Sequence, residues 1–350
     1  PLIDSDAISR GQTAICRNFA AVRFALQRRR FLRLINISMH RDHIRTWVAQ
    51  HRHLVTMSST PEGWYAINYT PRVTWRDLWS PEMELMRGVT VDRHFRIISA
   101  PFRKIYTYGV ESRAPTVSDD AVCDVHRKWD GVPMAVSQHR GRSIITHMGH
   151  TQDQWTERFG QVIDQDRWHA VLSQWPNHTV WFEWVTDASI TRDPPGIYCV
   201  ARRENTWSSQ HDQSADVLQA IADELGIQHT PRWSETFGEL KHRANQDRTE
   251  GYVFRTADTT WAKLKTSWYL TQTFLHRWGA SGLAQRLNND NILATIDPQF
   301  KPLVLWIRAR WSQYCAMTPD ERIQWIAEEW DLNNFGHDVR CGSFRFFWWD

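Results

Sequence analysis

Lys128-Trp129-Asp130-Gly131-Val132-Pro133-Met134-Ala135-Val136 is the stretch on which the reading of this chain turns. Val132, Met134 and Val136 alternate, which suits a strand leaving a tight turn at Gly131. Lys128 opens the stretch, and lysine is scarce here. Of 42 basic residues only Lys104, Lys128, Lys241, Lys263, Lys265 and Lys301 are lysine; the rest are arginine. A guanidinium matches an ammonium for charge but stays protonated and is no nucleophile. The scarcity therefore marks the lysines as places where the amine itself matters. A bare Lys-x-Asp-Gly is short, and a surface turn carrying a solvated lysine is its plainer reading.

Further stretches stand in line with it. Trp181-Phe182-Glu183-Trp184-Val185 places a carboxylate in an apolar strand, which is costly unless it meets donors or a cation. An edge strand with Glu183 facing water is the alternative. Glu250-Gly251-Tyr252-Val253-Phe254 puts another carboxylate at the head of an apolar strand. In Trp261-Ala262-Lys263-Leu264-Lys265 the period of two sets both lysines on one face, a cationic floor or else a solvated one.

The remainder bounds the class. From about Trp64 to Tyr269 the chain reads as short strands, with one clear helix. There Val217, Ile221 and Leu225 recur between a Ser214 cap and a Gly226 stop. Beyond it, Thr318-Pro319-Asp320-Glu321 is a capping box ahead of Ile323, Ile326, Ala327 and Trp330 on one helical face. No apolar run reaches the roughly 18 residues that would suggest a membrane span. Five scattered cysteines without a Cys-x-x-Cys pair indicate neither a zinc site nor a disulfide framework, and a reducing cytoplasm fits them. The net charge of +3 hides an arginine-rich beginning (Arg10, Arg17, Arg23, Arg28, Arg29, Arg30, Arg33). We read residues 1–38 as a poorly ordered basic extension, with a phosphate-gripping arm or a transit peptide as other readings and Met39 as a plausible true start.

In this order the stretches resemble the covalent nucleotidyltransferases, the polynucleotide ligases and mRNA capping enzymes. Lys128-Trp129-Asp130-Gly131 is similar to their nucleophile motif, Phe182-Glu183 to motif III, Glu250-Gly251-Tyr252-Val253 to motif IV and Lys263-Leu264-Lys265 to motif V. Over roughly residues 64 to 270 the chain more closely resembles the phage tRNA-repair RNA ligases, the RNA ligase 1 family. Met86-Arg87-Gly88-Val89, the run from Arg96 to Tyr106, Arg203-Glu204-Asn205 after a strand, and Trp268-Tyr269 after motif V carry that likeness. A basic residue usual before the glycine of motif Ia is missing from Thr146-His147-Met148-Gly149, where His147 stands.

The resemblance implies an α+β fold: a nucleotidyltransferase (ligase adenylylation) core of antiparallel sheets flanked by helices, residues 39–270, plus a small helical C-terminal domain, 271–350. It implies an ATP-dependent RNA ligase that joins 5′-phosphate and 3′-hydroxyl ends through lysyl-AMP and RNA-adenylate, for RNA repair or circularisation. Lys128 would be the AMP-accepting nucleophile, with Asp130, Lys263 and Lys265 as catalytic partners. Arg87, Lys104, Gly131, Glu183 and Arg203 would contact the nucleotide beside them, Glu183 at the ribose. Glu250 and Asp130 would serve Mg²⁺ or Mn²⁺. Step one needs a neutral Lys128 amine, and neighbouring cations and burial are expected to depress it. The partners implied are RNA ends, nicked tRNA among them, met by a monomer in phage or host cytosol. A DNA ligase or GTP-using capping enzyme explains neither the Lys104 segment nor Trp268-Tyr269. A catalytically silent RNA-binding protein, stacking bases on aromatics, does not explain why the five motif residues are intact.

Overall fold

The computed structural model describes residues 41–191, 193–208, 211–212, 214–256, 261–273, 296 and 298–330. The extension at 1–38 lies outside the described residues.

Helix α1 (41–50) leads into a four-stranded antiparallel sheet, β1 (Val55–Ser59), β2 (Tyr65–Tyr69), β3 (Arg87–Val91) and β4 (Ile97–Ser99), in that spatial order. The short helix α2 (Pro71–Trp75) places Val73 under this sheet, among Ile67, Met83, Met86 and Val89. Two larger sheets follow. Their strands are β5 (Tyr106–Thr107), β6 (Val122–Lys128), β7 (Val132–His139), β8 (Arg142–Thr146), β9 (His178–Val185), β10 (Gly196–Glu204), β11 (His211–Asp212), β12 (Gln228–His229), β13 (Arg232–Thr236), β14 (Gly251–Arg255) and β15 (Trp261–Lys265). One sheet has the order β11-β10-β9-β7-β8, with β12 running parallel to β10; the other has the order β13-β6-β14-β15-β5, with β5 parallel to β15.

Each large sheet buries one face under helices. Met134, Val136, Val180, Phe182 and Cys199 pack against Phe159 of α3 (Gln154–Val162), Trp168 of α4 (Gln165–Leu172) and Leu218 and Ile221 of α5 (Ala215–Leu225). Cys123, Val125, Tyr252, Phe254, Ala262 and Leu264 pack against Phe237 and Leu240 of α6 (Phe237–Gln246). The other faces stay available for chemistry, joined by the three residues Trp129, Asp130 and Gly131 between β6 and β7.

The strands expected at Tyr65–Tyr69, in β9, in β10 and at Gly251–Arg255 are present, and α5 ends in a left-handed Gly226 with φ +69°. Ser214 makes no capping side-chain hydrogen bond. Helices α3, α4 and α6 were not anticipated. Their start signals were local: Asp153 Oδ1 accepts from the Trp155 and Thr156 N–H groups, Asp164 from Arg167 N–H, and Thr236 with Glu239 forms a capping box. Short helices studded with tryptophan and histidine hide their period. After the last strand the chain is helical at 267–273, and three helices, Lys301–Ala309, Trp311–Ala316 and Pro319–Glu329, close the described part. The Thr318 capping box is as expected, with Ile326 and Trp330 buried beside Trp306 and Trp325. Side chains of Ile323 and Ala327 lie outside the described residues. None of the described helices is long and apolar enough to cross a membrane.

One backbone position decides how closely β14 and β15 approach. Gly251 has φ +146°, and a Cβ there would sit 2.1 Å from the Leu264 carbonyl oxygen. Gly251→Ala therefore combines left-handed strain with a backbone clash, and it should cost about 2 kcal/mol or more. Gly160→Ala, inside α3 with nothing nearer than 3.5 Å, should instead stabilise by up to about 1 kcal/mol. Denaturant midpoints of the two variants should move in opposite directions; equal shifts would contradict the packing described.

Candidate active site

Strand β14 lies between β6 and β15, and the register sets the site. Gly251 stands opposite Lys128 on one side and Lys265 on the other; two residues on, Val253 stands opposite His126 and Lys263. The period of two puts Lys128, His126, Lys263 and Lys265 on the face away from α6. Glu250, immediately before β14, reaches between the two amines. Lys128 Nζ donates to its Oε2 at 2.6 Å, and Lys265 Nζ lies 3.1 Å from its Oε1. The carboxylate is 5% exposed. Charge-assisted pairs this short are strong, and removing one partner of such a buried pair typically costs about 3–5 kcal/mol.

Glu183 approaches from the second sheet, as the sequence suggested for a strand carboxylate that meets donors. Burial and nearby Glu250 push its carboxyl up to about 7, against Lys128 and a hydrogen bond from the Gly131 N–H. Gly131 permits that contact: a Cβ there would lie 2.7 Å from the Trp184 carbonyl oxygen and 3.0 Å from Glu183 Cγ.

Protonation differs from the sequence-based expectation. Burial disfavours the Lys128 ammonium, yet Glu250, Glu183 and Asp130 outweigh it and hold the amine above the ordinary lysine range. Burial likewise works against the Glu250 carboxylate, and Lys128 and Lys265 hold it below the usual carboxylate range. The depressed amine is Lys263 instead. Burial, then Lys265, Lys104 and Arg87, push it well below normal, with Glu111 opposing. These four cations form one cluster on the floor of the site.

Asp130 is held at both oxygens: Oδ2 accepts from Thr191 N–H and Oδ1 from the Tyr269 hydroxyl, each at 3.0 Å. That geometry fits support of the lysine loop and leaves Glu250 as the carboxylate set among the amines. Tyr269 is placed by Thr266, whose Oγ1 accepts the Tyr269 N–H at 3.0 Å, and its ring lies 4.9 Å from Lys265 Nζ. Trp129 packs inward on Tyr198, ring centroids 3.8 Å apart, with Nε1 donating to Thr230 Oγ1 at 3.1 Å.

Lys104 and Arg87 come from the first sheet and its exit. Lys104 Nζ pairs with Glu111 and sits 4.7 Å from the Trp79 ring centroid and 5.3 Å from that of Tyr106. Arg87 lies at the head of β3 with Cζ 5.9 Å from the Tyr69 ring centroid. Arg203 departs from its expected phosphate contact. Fully buried within β10, it donates to the carbonyls of Pro101 and Thr206 at 2.9 Å each, and burial with Arg103 pushes it down to about 9. Its work is to hold the segment that delivers Lys104, together with Thr179, which accepts from Ala100 N–H, and Trp181, which donates to the Ala100 carbonyl. His147 pairs with Asp153 at 2.7 Å beside Trp155.

Sequence reasoning missed Glu111, Thr191 and the structural part of Tyr269. A single acid or threonine in a loop carries no periodic signal; only Tyr269 had one, its place after the lysine pair.

No protein-family model matches the chain, and no curated protein matches it in sequence. Its structure is similar to those of archaeal ATP-dependent RNA ligase. The structure described as form 1 is 15% identical with a TM-score of 0.51, covering 83% of this chain and 75% of that one. A second form is 16% identical with a TM-score of 0.50, covering 85% and 86%. A putative ATP-dependent DNA ligase from Aquifex aeolicus aligns over 85% of this chain and 77% of its own at 14% identity, with a TM-score of 0.49. At such identities the likeness is one of fold alone: an α+β arrangement of mainly antiparallel sheets flanked by helices.

Proposed function

We propose that this chain is an ATP-dependent RNA ligase of the phage tRNA-repair type, which seals 5′-phosphate to 3′-hydroxyl ends through lysyl-AMP and RNA-adenylate. The observation that carries the reading is the amine of Lys128 bonded to a carboxylate shared with Lys265, with Glu183 facing it across the inter-sheet turn. The Lys104 segment and the Tyr269–Asp130 bond support the subtype, because both belong to the stretches that resemble that family.

In the first step Lys128 Nζ attacks the α-phosphorus of ATP. A P–N bond forms and the P–O bond to pyrophosphate breaks; of the three ammonium protons one stays on the phosphoramidate nitrogen and two pass to solvent and the departing pyrophosphate. Lys263, Lys265, Lys104 and Arg87 receive the charge of the triphosphate and of the departing pyrophosphate. Glu183, its carboxyl near 7, is suited to exchange a hydrogen bond with a ribose hydroxyl. Asp130, locked by Thr191 and Tyr269, fixes the turn that presents the amine. AMP then passes to an RNA 5′-phosphate, and a 3′-hydroxyl displaces it.

Glu250 offers hard oxygen donors at the nucleophile. Among the described residues no group of three or more His, Cys, Asp or Glu side chains converges, which suits an ion that takes its remaining ligands from phosphate and water. Mg²⁺ or Mn²⁺ held by Glu250 would supply positive charge against the phosphate oxygens and against the ammonium form of Lys128. RNA ends, nicked tRNA among them, are the substrates of this reading, and residues 271–350 form an appended domain in it.

Purified protein incubated with α-labelled ATP and Mg²⁺ should carry covalent label on a denaturing gel, while Lys128→Ala carries none. Label persisting in that variant would refute the assignment. Labelled GTP, and DNA in place of RNA ends, should be used poorly. Tyr269→Phe removes a hydrogen bond to a charged carboxylate, a loss of about 10- to 100-fold in the adenylylation rate. A rate unchanged in single-turnover measurement would show that Asp130 holds the turn without it.

A further inference from the structure

One carboxylate in the site has no part in the reaction just described. Glu111 follows β5 in a tight turn, its N–H donating to the Thr107 carbonyl at 3.0 Å. Its side chain folds back, so that Oε2 accepts the Thr107 N–H at 2.6 Å while Oε1 pairs with Lys104 Nζ. Thr107 is itself the partner of Lys263 across β5–β15, and Tyr108 N–H donates to the Lys263 carbonyl at 2.9 Å. The carboxylate is thus tied to the backbone that carries the cationic floor. The two paired side chains are 6% and 12% exposed. Buried charge needs compensation: Glu250 pairs with Lys128 and Lys265, and Glu111 pairs with Lys104 and acts on Lys263. Burial pushes its carboxyl up, but Lys104 and Lys263 outweigh this and keep it below the usual range.

We propose that Glu111 is a built-in stand-in for the departing pyrophosphate, competing for Lys104 and the cationic floor. The inference rests on the ligase reading. An anion made of chain balances the cluster when no triphosphate is bound. It gives way as ATP enters and returns to Lys104 as pyrophosphate leaves. It thereby opposes reversal, in which a pyrophosphate oxygen attacks the phosphorus of lysyl-AMP, the P–N bond breaks, the amine takes a proton and ATP departs.

The test is discharge of labelled lysyl-AMP protein by magnesium pyrophosphate, titrated for wild type, Glu111→Gln and Glu111→Asp. Glutamine keeps the length and an acceptor for Thr107 but removes the competing charge. The half-saturating pyrophosphate concentration should fall about tenfold, as expected for loss of a charged hydrogen-bond competitor. A shortened arm in Glu111→Asp should give a smaller fall, and it serves alone if the glutamine variant does not fold. Direction is diagnostic, because a merely structural lesion weakens pyrophosphate binding and does not strengthen it. A half-saturating concentration unchanged or raised in a folded variant overturns the proposal while leaving the ligase reading intact. Wild type that takes no AMP at all overturns the ligase reading, and this inference with it.

Discussion

The carboxylate of Glu250 between the amines of Lys128 and Lys265 is the constraint on which the site depends. Two ammonium groups on the strands that flank β14 would repel at the separation the register imposes. A carboxylate fed between them from the head of the central strand turns repulsion into two short pairs. The geometry demands that β6, β14 and β15 lie in register at Lys128, Gly251 and Lys265. It also demands that Gly251 take a conformation with no room for a side chain. The apolar face behind, from Val125 through Tyr252 and Leu264 to Phe237, fixes that register, because slipping one strand by one residue would exchange its buried and charged faces.

Around this pair the site is arranged in layers of compensation. Asp130 is held by Thr191 and Tyr269, two residues far downstream in sequence that each take one of its carboxylate oxygens. The Lys104 segment is clamped by Thr179, Trp181 and Arg203, all on the second sheet. A lysine delivered by an irregular segment thereby gains the rigidity of two strands. Several tryptophans that a sequence reader would offer to bases belong to this framework: Trp129 stacks on Tyr198, and Trp181 bonds the Ala100 carbonyl.

Most of the fold and the clustering of the motif side chains was legible because both obey short-range rules. Alternation around Lys263 and Lys265 does place them on one face, and the carboxylates heading or interrupting apolar strands do meet cations. What failed was whatever depends on distant partners. Arg203 follows the sequence logic of a phosphate contact, yet its guanidinium is buried against Pro101 and Thr206. Lys128 was expected to be depressed by neighbouring amines. The count of nearby carboxylates, which no local pattern reveals, raises it instead.

The same balance explains why a chain so rich in arginine keeps lysine in this cluster. Five basic groups, Arg87, Lys104, Lys128, Lys263 and Lys265, face four acidic ones, Asp130, Glu111, Glu183 and Glu250. An arginine at position 263 would hold its proton however many cations surrounded it, and the excess charge would have to be carried by the fold. A lysine in that cluster can be pushed well below its ordinary range, as burial with Lys265, Lys104 and Arg87 does at Lys263, and so lighten the charge the fold must carry. Arg87 is a guanidinium and Lys263 an amine, so of the two only the amine can lighten the charge of the floor. Glu183, with its carboxyl near 7, gives the opposite wall the same freedom. On the proposed ligase reading, a pocket lined only by permanently charged groups would hold a triphosphate, and one lined by these groups can also let its fragments go.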